Sequence, residues 1–302
     1  MELFMGYAFL VLSKLAAMAK MVSVKKCGSI ATGAKNSVKI NLLRSFGCLV
    51  VGIFVSLFSG FESMSMPGVF MTVLSGISNG FLLFSWILAA SCAPMITVEV
   101  FCMIGGVVIP LIISPIVLDG EKVTLIQWIG ALLLFAAIFC FSKRKGGGKI
   151  TAKSIILMCV AGISNAGGVI TQKFYQEFSE QYDCGTVADF QLGTYAITIA
   201  VLALVLLMMV LIKKENGDES RSKITPLAFL FIAIAFGMTY LSQYTATLAA
   251  GKIDSAVLFP LAYIISMPMI FIVDVIFFGE KVSLRGIIGL LIVTASGVLI
   301  NI

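Results

Sequence analysis

The sequence predicts an all-α membrane protein, with ten transmembrane helices arranged as two inverted five-helix repeats. Three observations predict it. Of 302 residues, 60% are hydrophobic and only 12% charged, and mean hydropathy is +1.08, too little polar surface for a water-soluble chain of this length. The apolar residues fall in runs such as Ala196 to Ile212 and Val257 to Phe278, close to the roughly 20 residues that a helix needs to cross about 30 Å of hydrocarbon. One motif also occurs twice, as Asp119-Gly-Glu-Lys-Val-Thr-Leu125 and Phe278-Gly-Glu-Lys-Val-Ser-Leu284, 159 residues apart.

The runs are apolar all round, whereas barrel strands alternate apolar and polar residues. Backbone groups in lipid must be satisfied within the segment, so each run is read as a helix. In chain order the predicted helices lie at about 3–22, 38–59, 67–89, 93–117 and 123–142, then 152–174, 186–212, 225–249, 254–277 and 282–301. Ala17-Met18-Ala19 resembles a signal-peptide cleavage site, but Glu2 and no basic residue precede the apolar run, so the first helix is read as retained. Between the fifth and sixth helices lies Lys143-Arg-Lys-Gly-Gly-Gly-Lys149, which mixes a charge run with glycines and marks the boundary between the halves. The halves are read as residues 1–145 and 150–302.

The internal match extends from the paired Gly-Glu-Lys-Val turns to Gly130 against Gly289 and Ala136 against Ala295, with Leu88-Ala-Ala90 against Leu248-Ala-Ala250. A repeat of five helices is odd-numbered, so the second copy must enter from the opposite face. That is the plan of secondary transporters whose solute site lies between the halves.

Charge predicts orientation. Fourteen basic residues, among them Lys25, Lys35, Lys143, Lys213 and Arg285, fall in the loops 1–2, 5–6, 7–8 and 9–10, against Lys122, Lys173 and Lys252 on the other side. The positive-inside rule then puts those loops in the cytoplasm and both termini outside. The net charge of +6 is thereby read as a topology signal and not as a nucleic-acid surface.

Chemistry narrows further. There is no histidine, and the seven cysteines, mostly inside apolar runs, form no CxxC pair, so they are read as small apolar residues and no metal or other cofactor is predicted. No GxxxxGK[ST] motif occurs, which excludes ATP drive through a P-loop of this chain. With no nucleophile–base pair either, an enzyme is not predicted.

Ionisable residues within predicted spans ask for a reason. Lys14 lies near the middle of the first span. It fits an anchor for a solute carboxylate or phosphate, a protonation gate, or a structural partner of a buried acid. Arg44 and Glu99 each sit about six positions into helices that start from the same side, and fit a structural ion pair or a gate that breaks when the cavity opens. Glu99 is also the candidate for proton coupling, because desolvation favours a protonated carboxyl. Asp189 fits a helix cap and Asp274 the interface, with Glu121 and Glu280 as turn residues.

In the eighth helix Tyr240, Gln243, Tyr244 and Thr247 recur at i, i+3, i+4, i+7 and share a face, predicted to line a pocket. Asn79 and Trp86 in the third helix and Asn165 in the sixth are further candidates for binding substrate. Gly76, Gly80, Gly162 and Gly168 fit close helix contacts. Pro110, Pro260 and Pro268 fit bends.

At its paired Gly-Glu-Lys-Val turns the chain resembles the drug/metabolite transporter superfamily, of the ten-helix EamA-like kind. The stretches that carry the likeness are Pro94, Pro110, Pro115, Gly120-Glu121 and Gly130 in one half, and Pro260, Pro268, Gly279-Glu280, Gly286, Gly289 and Gly297 in the other. The resemblance implies transport of small metabolites, often export, by alternating access through a pocket lined mainly by helices 1, 3, 4, 6, 8 and 9. It leaves amino-acid-like solutes, drugs, sugars and phosphorylated metabolites all open, with a lean to amino-acid-like ones from Lys14 and the polar eighth helix. Such proteins usually carry a basic second loop and cytoplasmic termini. Here Ser59-Gly-Phe-Glu-Ser-Met-Ser-Met66 has no basic residue, and the charge count predicts the opposite orientation. The implied partners are a small-molecule substrate, the lipid bilayer and protons, for a monomer or homodimer in the cell membrane. A non-transporting sensor is the remaining alternative.

Overall fold

The structure is a computed structural model that describes residues 2–30, 34–92, 95–117, 123–141, 151–212, 226–278 and 284–300. Among the described residues there are ten helices and no strand: α1 (Glu2–Ile30), α2 (Ala34–Ser59), α3 (Met66–Cys92), α4 (Met95–Val117), α5 (Leu125–Phe141), α6 (Ala152–Tyr182), α7 (Val187–Ile212), α8 (Pro226–Ala250), α9 (Ser255–Phe278) and α10 (Leu284–Ile300). Eight of them, all but α5 and α10, are long and apolar enough to cross a membrane. The sequence predicts ten such spans. At 17 residues each, α5 and α10 rise about 26 Å at 1.5 Å per residue, a little short of the hydrocarbon thickness. The repeated Gly-Glu-Lys-Val turns that precede them, apart from Val123, and the basic connector 143–149, lie outside the described residues.

Large apolar side chains are exposed on the outside of the bundle, including Phe58 at 92%, Ile116 at 77% and Leu284 at 73%. A surface so apolar suits lipid and not water. Helix association in lipid relies on close packing at small residues, and the glycines show where. A methyl group on Gly105 of α4 would lie 2.1 Å from the Gly162 carbonyl oxygen of α6. Gly76 and Gly80 of α3 likewise face Ile197 and Val201 of α7, and Gly130 of α5 faces Ser296 and Ile300 of α10, where Ser296 Oγ donates to the Gly130 carbonyl. Gly168, expected at such a contact, has nothing within 4 Å of its would-be Cβ.

The packing partners follow a pattern. α1 lies on α8 as α6 lies on α3, α4 on α6 as α9 on α1, and α3 on α7 as α8 on α2, while α2–α7, α4–α9 and α5–α10 pair across the halves. Advancing each helix number by five returns these same pairs.

Two helices outrun their predicted spans. The apolar part of α1 ends at Val24, but the helix continues to Ile30 because the serine and lysine residues that leave the lipid do not break a helix. α6 runs to Tyr182 and stops at Asp183, which takes a left-handed φ of 50°. There Tyr175 Oη donates to the Cys184 and Thr186 carbonyls. Lys173, at the end of the predicted span and counted with the basic residues of the poorly basic side, is therefore well inside α6 and 2% exposed. Its Nζ donates to the Ala250 and Ile253 carbonyls, both at 3.0 Å, and pairs with Glu177. It ties α6 to the α8–α9 connection.

The side chain that caps α7 is that of Thr186, and Asp189 supports it from the first turn. The Asp189 backbone N–H donates to Thr186 Oγ1, and the Asp189 carboxylate accepts from that hydroxyl. The same carboxylate accepts from the Glu62 backbone N–H at 3.2 Å, which latches the α2–α3 loop to α7. Of the cysteines, Cys48, Cys102 and Cys184 are buried, whereas Cys159 is exposed on the apolar outside.

Candidate functional site

A cavity of about 650 Å³ lies in the middle of the bundle, walled by all eight span-length helices and by neither α5 nor α10. Its wall follows α1 from Leu10 to Val24, about 21 Å of helix rise. This volume is within the usual range for small-molecule sites. The resemblance implied six lining helices; α2 contributes as well, through Ser37, Asn41 and Arg44, and α7 through Gln191, Thr194 and Tyr195.

The cavity brings together seven of the nine residues singled out from sequence: Lys14, Asn79, Trp86, Asn165, Gln243, Glu99 and Arg44. Lys14 Nζ sits 5.7 Å from the ring centroid of Tyr263, a cation–π distance. The Tyr263 hydroxyl in turn accepts from Asn165 Nδ2, whose amide also donates to the Cys102 carbonyl at 2.8 Å. Gly106 leaves the room for this, because a Cβ there would fall on the Tyr263 hydroxyl. Gln172 Nε2 donates to Gln243 Oε1 at 2.7 Å, and Asn79 Nδ2 to Thr198 Oγ1 at 3.1 Å. Ser13 Oγ donates to the Ser242 carbonyl at 2.8 Å. Much of the polar wall is thus fixed by hydrogen bonds between helices before any solute arrives.

Tyr240 and Tyr244 are not in the wall. They stack on each other with centroids 5.8 Å apart, and Tyr240 meets Tyr195 of α7 at 6.2 Å in a cluster with Cys48 of α2. Thr247, on the same predicted stripe, receives a hydrogen bond from Gln191. Of the stripe only Gln243 lines the cavity; Tyr240, Tyr244 and Thr247 pack toward α2 and α7, and the cavity face of α8 is made by Ser242, Gln243, Ala246 and Ala250. Periodicity shows that polar residues share a helix side but not whether a neighbouring helix or a cavity covers that side.

Arg44 and Glu99 line the cavity together, and Glu99 Oε1 accepts from Trp86 Nε1 at 3.0 Å. Lys20, which was not singled out from sequence, is also in the wall and within electrostatic reach of Arg44 and Glu99. It lies near the end of the predicted first span, where a lysine stem can reach the interface. Tyr263 was missed too, although a lone polar ring between Pro260 and Pro268 was the available signal. Among the described residues no cluster of histidine, cysteine or acidic side chains is placed to hold a metal ion.

No family model matches the chain, and no curated protein matches it. A solved structure described only as the crystal structure of a protein is similar over 96% of this chain and 95% of its own, with a TM-score of 0.66 and 16% identity. At that identity the likeness is one of fold, and it takes in both halves of the chain.

Proposed function

We propose that the protein is a secondary transporter, an exporter, of small polar metabolites. In this reading it has the drug/metabolite transporter plan of the EamA-like kind and works by alternating access between inverted repeats at residues 1–145 and 150–302. The observation that carries the proposal is the cavity of about 650 Å³ with ionisable residues in its wall, enclosed by eight span-length helices. A charge at the centre of a bilayer costs about 3 kcal/mol on insertion scales, and a chain that needed only to pack would have little use for four such side chains around a void. The exchange of helix partners between α1–α5 and α6–α10 supports the repeat. So does the doubled Gly-Glu-Lys-Val motif. Two quasi-equivalent bundles around one cavity are what rocking between two openings requires.

The test is uptake and efflux of a metabolite panel in proteoliposomes, with and without an imposed pH gradient. Saturable flux that the gradient drives is the expected result, and flux that needs a trans solute instead would identify exchange. If no metabolite moves and none raises the melting temperature of the purified protein, the transport reading fails. The proposed orientation is checked by labelling a C-terminal tag in intact cells, where the charge count expects exposure outside.

A further inference from the structure

The cavity wall carries three cationic side chains, Lys14, Lys20 and Arg44, and one carboxylate, Glu99, a formal charge of +2. Arg44 is 6% exposed. Among the described residues none of the three cations has a hydrogen-bond acceptor or an ion-pair partner; Lys14 has only the ring face of Tyr263. The one carboxylate is already engaged by the Trp86 indole. The cations also lie close enough to feel one another, Lys20 with both Lys14 and Arg44.

Lys173 shows what a structural cation looks like in this bundle. It is as buried as Arg44, and more so than the half-buried Lys14 and Lys20, but two carbonyls and Glu177 surround it. Cations withdrawn from water without partners and set beside like charges are unfavourable unless something neutralises them. On the described chain Glu99 offsets one of the three charges, and +2 is left.

We propose that the solute of the cavity is a small organic dianion, a dicarboxylate or a phosphomonoester, held between Arg44, Lys20 and Lys14. The proposal deepens the transport reading and rests on it for the route by which the solute crosses. The planar guanidinium of Arg44 matches two oxygens of a carboxylate or phosphate at once, and the two ammonium groups of α1 take the remaining charge. Asn165 and Gln243 are left for the uncharged part of the solute. A neutral amino acid brings no net charge and leaves the +2 in place, so the amino-acid-like expectation gives way to an anionic one.

Equilibrium binding of radiolabelled succinate and glycerol 3-phosphate to the purified full-length protein in nanodiscs tests this, with alanine, lactate and glycerol as comparisons. At least one dianion is expected to bind tenfold or more tightly than any comparison solute, with affinity falling as salt rises. Succinate alone identifies a dicarboxylate site, and glycerol 3-phosphate alone a phosphomonoester site. R44Q and K20Q should each weaken dianion binding tenfold or more, while E99Q, which removes the opposing charge, should tighten it. R44Q should also melt no lower than the native protein without solute, because it deletes an unpartnered charge. If R44Q does not fold, K20Q carries the test. Equal binding of alanine or glycerol, or dianion binding untouched in both cation variants, overturns the proposal. Dianion binding without flux in proteoliposomes leaves this assignment standing and removes the transport reading. Flux of alanine or glycerol without dianion binding does the reverse.

Discussion

Trp86 Nε1 donates to Glu99 Oε1 at 3.0 Å, a hydrogen bond that joins α3 to α4 in the cavity wall. Hydrogen bonds to charged groups contribute about 1.5–3 kcal/mol, less where the group faces an open cavity. W86F keeps a ring and loses the donor, so it should destabilise the protein by about 1–2 kcal/mol. A double-mutant cycle with E99Q, read by denaturation in detergent, should return a coupling of about 1 kcal/mol. Strict additivity would mean that the indole and the carboxylate act independently.

Lys173 is expected to behave as a structural cation. K173M would leave the Ala250 and Ile253 carbonyls without their donor and Glu177 without its partner. Because the Glu177 side chain is 39% exposed, water takes over part of that pair, and the main loss is at the two carbonyls. The expected destabilisation is about 2–4 kcal/mol, with the α8–α9 connection opening first in hydrogen exchange. Unchanged exchange there would contradict the role of Lys173 as a tie.

The contact of Gly105 with Gly162 makes a sharper prediction than most of the packing. A Cβ at 2.1 Å from a backbone oxygen cannot be relieved by turning a side chain, so G105A must move α4 away from α6. A loss of about 1–3 kcal/mol or more is expected. G237A is its control: nothing lies within 4 Å of that position in α8, and replacing a helical glycine should stabilise by about 0.5–1 kcal/mol. Melting temperatures of the two variants should move in opposite directions.

Helices were legible in the sequence because lipid forces a simple rule on it: each crossing is a continuous apolar run, and the run is visible without knowing its neighbours. Helix ends were less legible. Hydropathy marks where α1 leaves the lipid, near Val24, and not where its hydrogen bonds stop at Ile30. Charges announced much of the cavity, since Lys14, Arg44 and Glu99 each stand out in an apolar run. Lys20 did not, because a lysine so near the end of a predicted span is not distinguished by sequence from an interfacial one. The eighth helix shows the other limit. Its polar stripe at Tyr240, Tyr244 and Thr247 turned out to meet α2 and α7, since only the assembled neighbours decide which side of a helix meets a void.

Lys14 is where the transport reading meets its own alternative. Its ammonium stands over the Tyr263 ring at 5.7 Å, and among the described residues no carboxylate pairs with it. An anchor for solute predicts that K14A raises KM tenfold or more, while K14R, which keeps the charge but not the point geometry, recovers part of the loss. A structural partner predicts a different pair of outcomes, a lower melting temperature in K14A and little change in KM. Removal of a half-buried charge that no carboxylate pairs should instead leave the melting temperature unchanged or raise it. Y263F separates the two contacts in this corner. It keeps the ring face for Lys14 and removes the hydroxyl that Asn165 holds, so it should lose less affinity than K14A. Normal KM in K14A would take Lys14 out of the site and leave Arg44 and Lys20 as its cations.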